Sequence, residues 1–258
     1  MEPQTVTVGN TQIRILPTVK GLVSEAKLVE DEINSFEPNL VALSVGPEEI
    51  DGTRKWDGQP YDMSGWDEIY GLSLRKLVGD DGVRLPPPSF TKAIKISDSK
   101  NIEVIGIDMD EESFTQSYTS NVSTWQLYRR GRLEKRMVKN GIEGKTPEEI
   151  VTNMENSIRE IQGFAQLEED RVKAMYTNLV SHLDQEKILA IIDFTNVEVL
   201  RKYLISGKPA KFKKPKPKKS LKSKEQKKDT KSSVNVTNIY YNIKDSVINK
   251  SDLSNKKK

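Results

Sequence analysis

A small set of side chains in this sequence has types and positions suited to chemistry: Lys20, Ser44, Glu48, Glu49, Asp108, Asp110, Arg171, Asp193 and Asn196. All but Arg171 stand just beyond apolar runs of strand length, where polar loops begin. A lysine among carboxylates can hold a phosphate-like or carboxylate group, and a pair of carboxylates can serve as acid and base. Asp193 is the strongest single candidate. It ends the most hydrophobic run, Ile188 to Ile192, where a charge must find a partner or face a cleft. Arg171 lies in a long helical pattern and could reach inward. The structural alternative is that Lys20 forms an ordinary salt bridge, while Glu48 and Glu49 begin a solvated helix after Pro47.

The elements that must position these groups alternate along the chain. Gln12-Ile13-Arg14-Ile15-Leu16 has the alternation of a strand, broken by Pro17-Thr18-Val19-Lys20-Gly21. Ser24 is placed to cap a helix with Leu28, Val29, Ile33 and Phe36 at a 3.6 period, stopped by Pro38-Asn39. Leu40 to Val45 is nearly all apolar, as in a strand buried on both faces of a parallel sheet. Residues 51–88, rich in Gly, Asp and Trp, read as a partly ordered insertion with a short helix near Trp66 to Leu77. Pro86-Pro87-Pro88 leads into a helix over Ser89 to Ser99, followed by a third strand over Ile102 to Ile107. Helical patterns cover about 112–138 and Thr146 to Asp184, the second opened by Thr146-Pro147-Glu148-Glu149. A fourth strand, Ile188 to Asp193, precedes a closing helix over Val197 to Leu204. The expected fold class is α/β: a mostly parallel sheet flanked by helices, with a helical insertion before the last strand. In such sheets ligands sit beyond the carboxyl ends of the strands, so Lys20, Ser44, Asp108 and Asp193 are expected to line one cleft.

Composition narrows the function classes. The chain has no cysteine and a single histidine, His182, so thiol nucleophiles, disulfides and Cys-ligated metals are excluded and no zinc site is expected. No P-loop, Gly-x-Gly-x-x-Gly or Gly-x-Ser-x-Gly sequence occurs, and no cofactor is expected. No window approaches the ~18 to 20 apolar residues of a membrane span, and the first ten residues lack a signal-peptide core. A cytoplasmic protein is expected. His182 reads as an exposed or C-terminal capping residue. Trp125, Tyr128 and Arg129 share a helical spacing that could stack a base or sugar, but more often marks core. The run Arg129-Arg130-Gly131-Arg132 with Lys135 and Arg136 reads as an anion site or, more commonly, a solvated face. Trp56 and Trp66 read as a lid over the cleft or as a plain surface insertion.

The order of elements resembles the TraB/PrgY family, itself related to the Tiki, ChaN and erythromycin-esterase-like proteins. In that family a first strand runs into a Gly-Thr-x-His loop, then Ser, a helix, Pro-Asp and a strand ending in Val-Glu-Leu-Asp. Here the matching text is Leu16-Pro17-Thr18-Val19-Lys20, Ser24-Glu25, Pro38-Asn39 and Ala42-Leu43-Ser44-Val45. The family's later Arg-Asp helix, strand and Gly-x-Gly-His loop correspond to Glu169-Asp170-Arg171-Val172-Lys173-Ala174-Met175, Leu189 to Ile192, and Asp193-Phe194-Thr195-Asn196. The similarity spans roughly residues 11–205. Both family histidines are replaced, by Lys20 and Asn196, and the strand-end glutamate by Ser44. The metal-dependent hydrolysis proposed for the Tiki branch needs neutral imidazole and carboxylate ligands, and a lysine there repels a divalent cation. The resemblance therefore implies a TraB-like domain that binds a small polar or anionic ligand without a His-based metal site. A hydrolase using Asp and Glu, with a magnesium-type ion held by carboxylates, is the alternative.

Charge divides the chain again. Residues 208–258 contain 17 lysines, no arginine and 4 acids, against an overall charge of +3, so residues 1–207 are strongly acidic. Three parts are expected: the α/β domain 1–207, a Lys-rich disordered linker 208–233, and a strand-like docking or homo-oligomerisation segment 234–253 with period-2 alternation. Lys213, Lys214, Lys216, Lys218 and Lys219 are candidates for weak, salt-sensitive, sequence-independent binding of nucleic acid or another polyanion. On that basis an adaptor tethered by its tail is the third functional reading.

Overall fold

The structure, a computed structural model, describes residues 2–58 and 65–209. The chain divides into two units, Met1–Pro215 and Lys216–Lys258. The second unit, the tail lysines 213, 214, 216, 218 and 219, and the segment 234–253 all lie outside the described residues.

The chain opens with a hairpin. Strand β1, Gln4–Val8, pairs antiparallel with β2, Thr11–Thr18, through a two-residue Gly9-Asn10 turn in which Gly9 has a positive φ of 60°. Helix α1, Glu25–Phe36, follows; Ser24 stands at its N-cap, but its side chain makes no capping bond. Strand β3, Leu40–Leu43, leads to α2, Pro47–Arg54, then α3, Gly65–Val78, and α4, Pro88–Lys100. After strand β4, Glu103–Gly106, come four helices: α5, Glu111–Asn121; α6, Thr124–Asn140; α7, Pro147–Arg159; and α8, Gln162–Val180. Strand β5, Lys187–Asp193, and α9, Phe194–Ser206, complete the described fold. The expected α/β class with a helical insertion before the last strand is what the chain forms.

Among the described residues five strands lie in the order β1-β2-β5-β3-β4, and all pairs except β1–β2 are parallel. The last of the described strands thus fills the middle of the sheet. Its continuous apolar run is divided by the period of two. Ile188, Ala190 and Ile192 pack with α8 and α9 on one face, and Leu189 and Ile191 pack with α1, α2 and α4 on the other. Burying apolar surface on both faces is what favours this arrangement over an exposed sheet.

Sequence and structure differ in particular places. Strand β1 was not expected, although Val6 and Val8 alternate ahead of a Gly-Asn turn. The pattern over 112–138 breaks at Val122-Ser123, where Gln126 Oε1 accepts the Ser123 N–H at 2.9 Å and starts a new helix. The pattern over Thr146 to Asp184 breaks at Glu160-Ile161, because Ile161 is drawn into a core with Met154, Ile158 and Phe164. α3, α6, α7 and the first turn of α8 share a core of their own, and α3 and α7 also pack with Val19 and Leu22 of the loop after β2, while the rest of α8 lies on the sheet.

Candidate functional site

The carboxyl ends of β2 and β5 meet α3, α7 and α8 in one cleft holding about 170 Å³ of free space. Topology explains the place. The chain leaves β5 toward the α8/α9 face, whereas it leaves β2 and β3 toward the α1/α4 face. Loops that part in this way open a crevice at the strand ends. The walls are Lys20 from the loop after β2, Asp193 to Asn196 at the start of α9, Glu168 and Arg171 from α8, Glu155 from α7, and Trp66, Asp67 and Tyr70 from α3.

The sequence candidates separate into three groups. Lys20, Arg171, Asp193 and Asn196 line the cleft. Ser44 and Asp108 sit behind it as supports. The Ser44 hydroxyl accepts the Asp193 backbone N–H at 3.0 Å, and Asp108 Oδ2 accepts Arg171 Nε at 3.0 Å and Nη2 at 2.5 Å. Glu48, Glu49 and Asp110 stand apart. Glu48 and Glu49 are exposed in the first turn of α2, where Glu49 accepts the Gly46 N–H at 3.1 Å. Asp110 caps α5, accepting the Ser113 N–H at 2.7 Å, and that bond holds its carboxyl below the ordinary value.

Arg171 is fully engaged. Besides Asp108, its Nη1 donates to both carboxylate oxygens of Glu168 at 3.0 Å. Burial disfavours the guanidinium charge, but Glu168, Asp108 and Asp193 outweigh it and raise its proton affinity further. Lys20 differs: it is half-buried, and no carboxylate pairs with it among the described residues. Burial lowers its proton affinity, while attraction from Asp67, Asp193 and Glu49 more than compensates, so the ammonium keeps its charge.

The acids carry the most perturbed chemistry. Burial pushes Asp193 up to about 6 despite Lys20 and Arg171 pulling it down, with Asp108 and Glu168 adding to the rise. Its Oδ1 is buried and has no hydrogen-bond partner among the described residues. Glu155 is pushed up to about 7 by burial and by Glu168, against Arg159 and Arg171. Glu25, buried at the start of α1, is pushed up to about 8 by burial, with Asp193 and Glu148 adding, while the Val19 N–H, 2.7 Å from its Oε1, pulls the other way. Burial, Asp193 and Glu25 likewise hold the Tyr70 phenol well above its ordinary value. Burial thus raises the proton affinity of three carboxyl groups in and beside one cleft toward the neutral range in which acid–base groups work best. Among the described residues, no group of three or more His, Asp or Glu side chains is arranged to hold a metal ion.

Sequence reasoning missed Glu25, Glu155, Glu168, Asp67 and Tyr70. Glu25 follows a helix cap and looks like any first-turn acid. Glu155 and Glu168 sit in amphipathic helices whose inward faces also carry Met154 and Leu167. The signal available was an acid on an apolar face. Trp66 stands in the cleft wall. Just past the C-terminal end of α8, the His182 Nδ1–H donates to the Asn178 carbonyl at 2.9 Å. The core reading of Trp125 and Tyr128 is overturned: they are 64% and 46% exposed, and Leu133 and Met137 are the buried residues of α6. No helix among the described residues is long and apolar enough to cross a membrane. The chain matches no protein-family model and no curated protein.

Proposed function

We propose that the cleft at the end of β5 binds a small polar ligand, gripped between the Lys20 ammonium and the Asp193 carboxyl. The observation that carries this reading is the pair of uncommitted groups of opposite sign: among the described residues Lys20 has no ion-pair partner and Asp193 Oδ1 has no hydrogen-bond donor. Buried polar atoms are rarely left unmatched, and one facing a cleft is matched by what enters it. Since Arg171 is neutralised by Asp108 and Glu168, an anionic group on the ligand is received by Lys20 and a hydrogen-bond donor by Asp193. The TraB-like resemblance supports a site at these strand ends, with Lys20 and Asn196 in place of the family's histidines.

The test is a thermal-shift screen of the full chain at pH 7 with amino acids, dicarboxylates, inorganic phosphate and small polyols as probes. A stabilising probe whose effect disappears in both Lys20→Met and Asp193→Asn supports the reading. A screen with no shift, or a shift retained in both variants, refutes it.

A second reading is a hydrolase that uses carboxylates, favoured by the raised proton affinities of Asp193 and Glu155 on either side of the cleft. Turnover of nitrophenyl esters or glycosides, lost in Asp193→Asn and with acid and base limbs near those values, is its expected signature. A third reading, an adaptor tethered by the lysine-rich tail, draws on the charge of residues 208–258.

A further inference from the structure

A second groove lies on the helical layer, between α6 and the C-terminal turn of α7, with about 360 Å³ of free space. One wall is a single face of α6: Trp125, Tyr128, Arg129, Arg132 and Arg136, spaced by three and four residues. The other wall carries Ser157 and Glu160. The Trp125 and Tyr128 rings stack on each other, with centroids 5.3 Å apart and planes 26° off parallel, and they present their faces to solvent at 64% and 46% exposure. Large aromatic rings left open in this way mark a surface that something covers.

The arginines say what. Arg130, on the adjacent face, is committed: it bonds to Glu134 at 2.9 Å and lies over the Trp66 and Phe164 rings. Arg129, Arg132 and Arg136 are exposed and have no carboxylate partner among the described residues. The helix rise sets them roughly 4 to 6 Å apart along the axis, beginning one turn from the aromatic pair. Planar guanidinium groups receive phosphate oxygens in pairs, and every nucleobase offers a face to an aromatic ring. A row of uncommitted arginines continuing from a stacked aromatic platform is therefore complementary to a single strand with its bases turned out. A duplex, whose bases are already stacked, has no use for the platform. The rest of the folded part is acidic, so a polyanion is repelled elsewhere and drawn to this stripe.

We propose that this face of α6 is a binding site for single-stranded nucleic acid, with a base stacked on Trp125 and Tyr128 and the following phosphates on Arg129, Arg132 and Arg136. The site is independent of the cleft at β5. It is also distinct from the lysine-rich stretch 208–233, whose sequence has no arginine and one aromatic residue, Phe212.

Fluorescence anisotropy of the full chain with labelled dT12 and rU12, at low and physiological salt, tests it. Trp125→Ala is expected to weaken binding about tenfold, with Trp125→Phe restoring most of the loss. Changing Arg129, Arg132 and Arg136 together to Gln should weaken binding further and lower the slope of log K against log salt by about 2. Changing Lys213, Lys214, Lys216, Lys218 and Lys219 to Gln should lower affinity while leaving the Trp125→Ala effect intact. All the α6 side chains concerned are exposed, so unchanged urea midpoints establish that each variant is folded. The proposal is overturned if dT12 and rU12 fail to bind at low salt, if Trp125→Ala binds as the parent does, or if a duplex loses as much affinity as the single strand.

Discussion

Glu25 makes a prediction about stability that can be worked through from its surroundings. The side chain is 5% exposed, one oxygen accepts the Val19 N–H, and the other has no partner among the described residues. The positive end of α1 and the Val19 N–H favour the carboxylate, yet burial and the neighbouring acids prevail, and the folded protein holds the proton up to about pH 8. The unfolded chain releases it near the ordinary value of 4.5. Between those limits the folded state binds the extra proton, so stability falls as pH rises through this window and is restored below it. Each tenfold change in proton affinity is worth about 1.36 kcal/mol, which makes the full interval worth on the order of 5 kcal/mol. Water entry at high pH relieves part of this, leaving an expected difference of about 2 to 4 kcal/mol. Glu25→Gln has the shape of the protonated acid and keeps an acceptor for Val19. Urea unfolding of parent and variant from pH 5 to pH 8.5 should give curves within about 1 kcal/mol at pH 5 that separate steadily, the variant being the more stable at pH 8.5. Parallel pH dependences would refute the argument, because they require Glu25 to ionise alike in folded and unfolded chains.

Other substitutions probe the supports of the cleft. Arg171→Met strands the buried Asp108 carboxylate and should cost about 3 to 5 kcal/mol by urea unfolding, well beyond a surface ion pair. Ser44→Ala leaves the Asp193 N–H without its acceptor and should cost about 1 to 3 kcal/mol, with a loss of any ligand-induced thermal shift. Gly163→Ala would set a methyl 2.3 Å from the Asn121 carbonyl and 2.4 Å from Gln126 Oε1, so the start of α8 must move off the α5–α6 junction. A loss of about 1 to 3 kcal/mol is expected, read from the thermal midpoint. Incubation with EDTA should leave that midpoint unchanged, and stoichiometric zinc in purified protein would count against this.

The parts of the fold legible in the sequence are those where one physical requirement dominates. Leu40 to Leu43 and Ile188 to Ile192 need apolar cover on both faces, and little besides an internal parallel strand supplies it. Helix ends were harder, because the breaks at Ser123 and Ile161 depend on a backbone cap and on packing against Phe164, which local periodicity does not reveal. The site was legible in the residues that end strands. Lys20, Asp193 and Asn196 reach the cleft because the sheet delivers its strand ends there. Glu25 and Glu155 escaped because an acid on a helix normally faces water, and only the docking of the helical layer onto the sheet covers them. Trp125 misled for the opposite reason: its spacing suits a core that α6 builds with Leu133 and Met137 instead.

The central position of β5 bears on how the chain is made. A ribosome delivers β2 and β3 long before β5, yet neither pairs with the other, and each takes β5 as its partner. The Thr18 hydroxyl reaches the Ile192 carbonyl across 174 residues of sequence, and the Asp193 N–H reaches Ser44 across 149. Until residue 193 has left the exit tunnel, the nascent chain is a hairpin and a separate β3–β4 pair, each with an open parallel edge. Such edges recruit other strands, and long-range pairing is slow to correct it. Chains stopped short of β5 should therefore collect in aggregates or with chaperones, while chains stopped just after α9 should not.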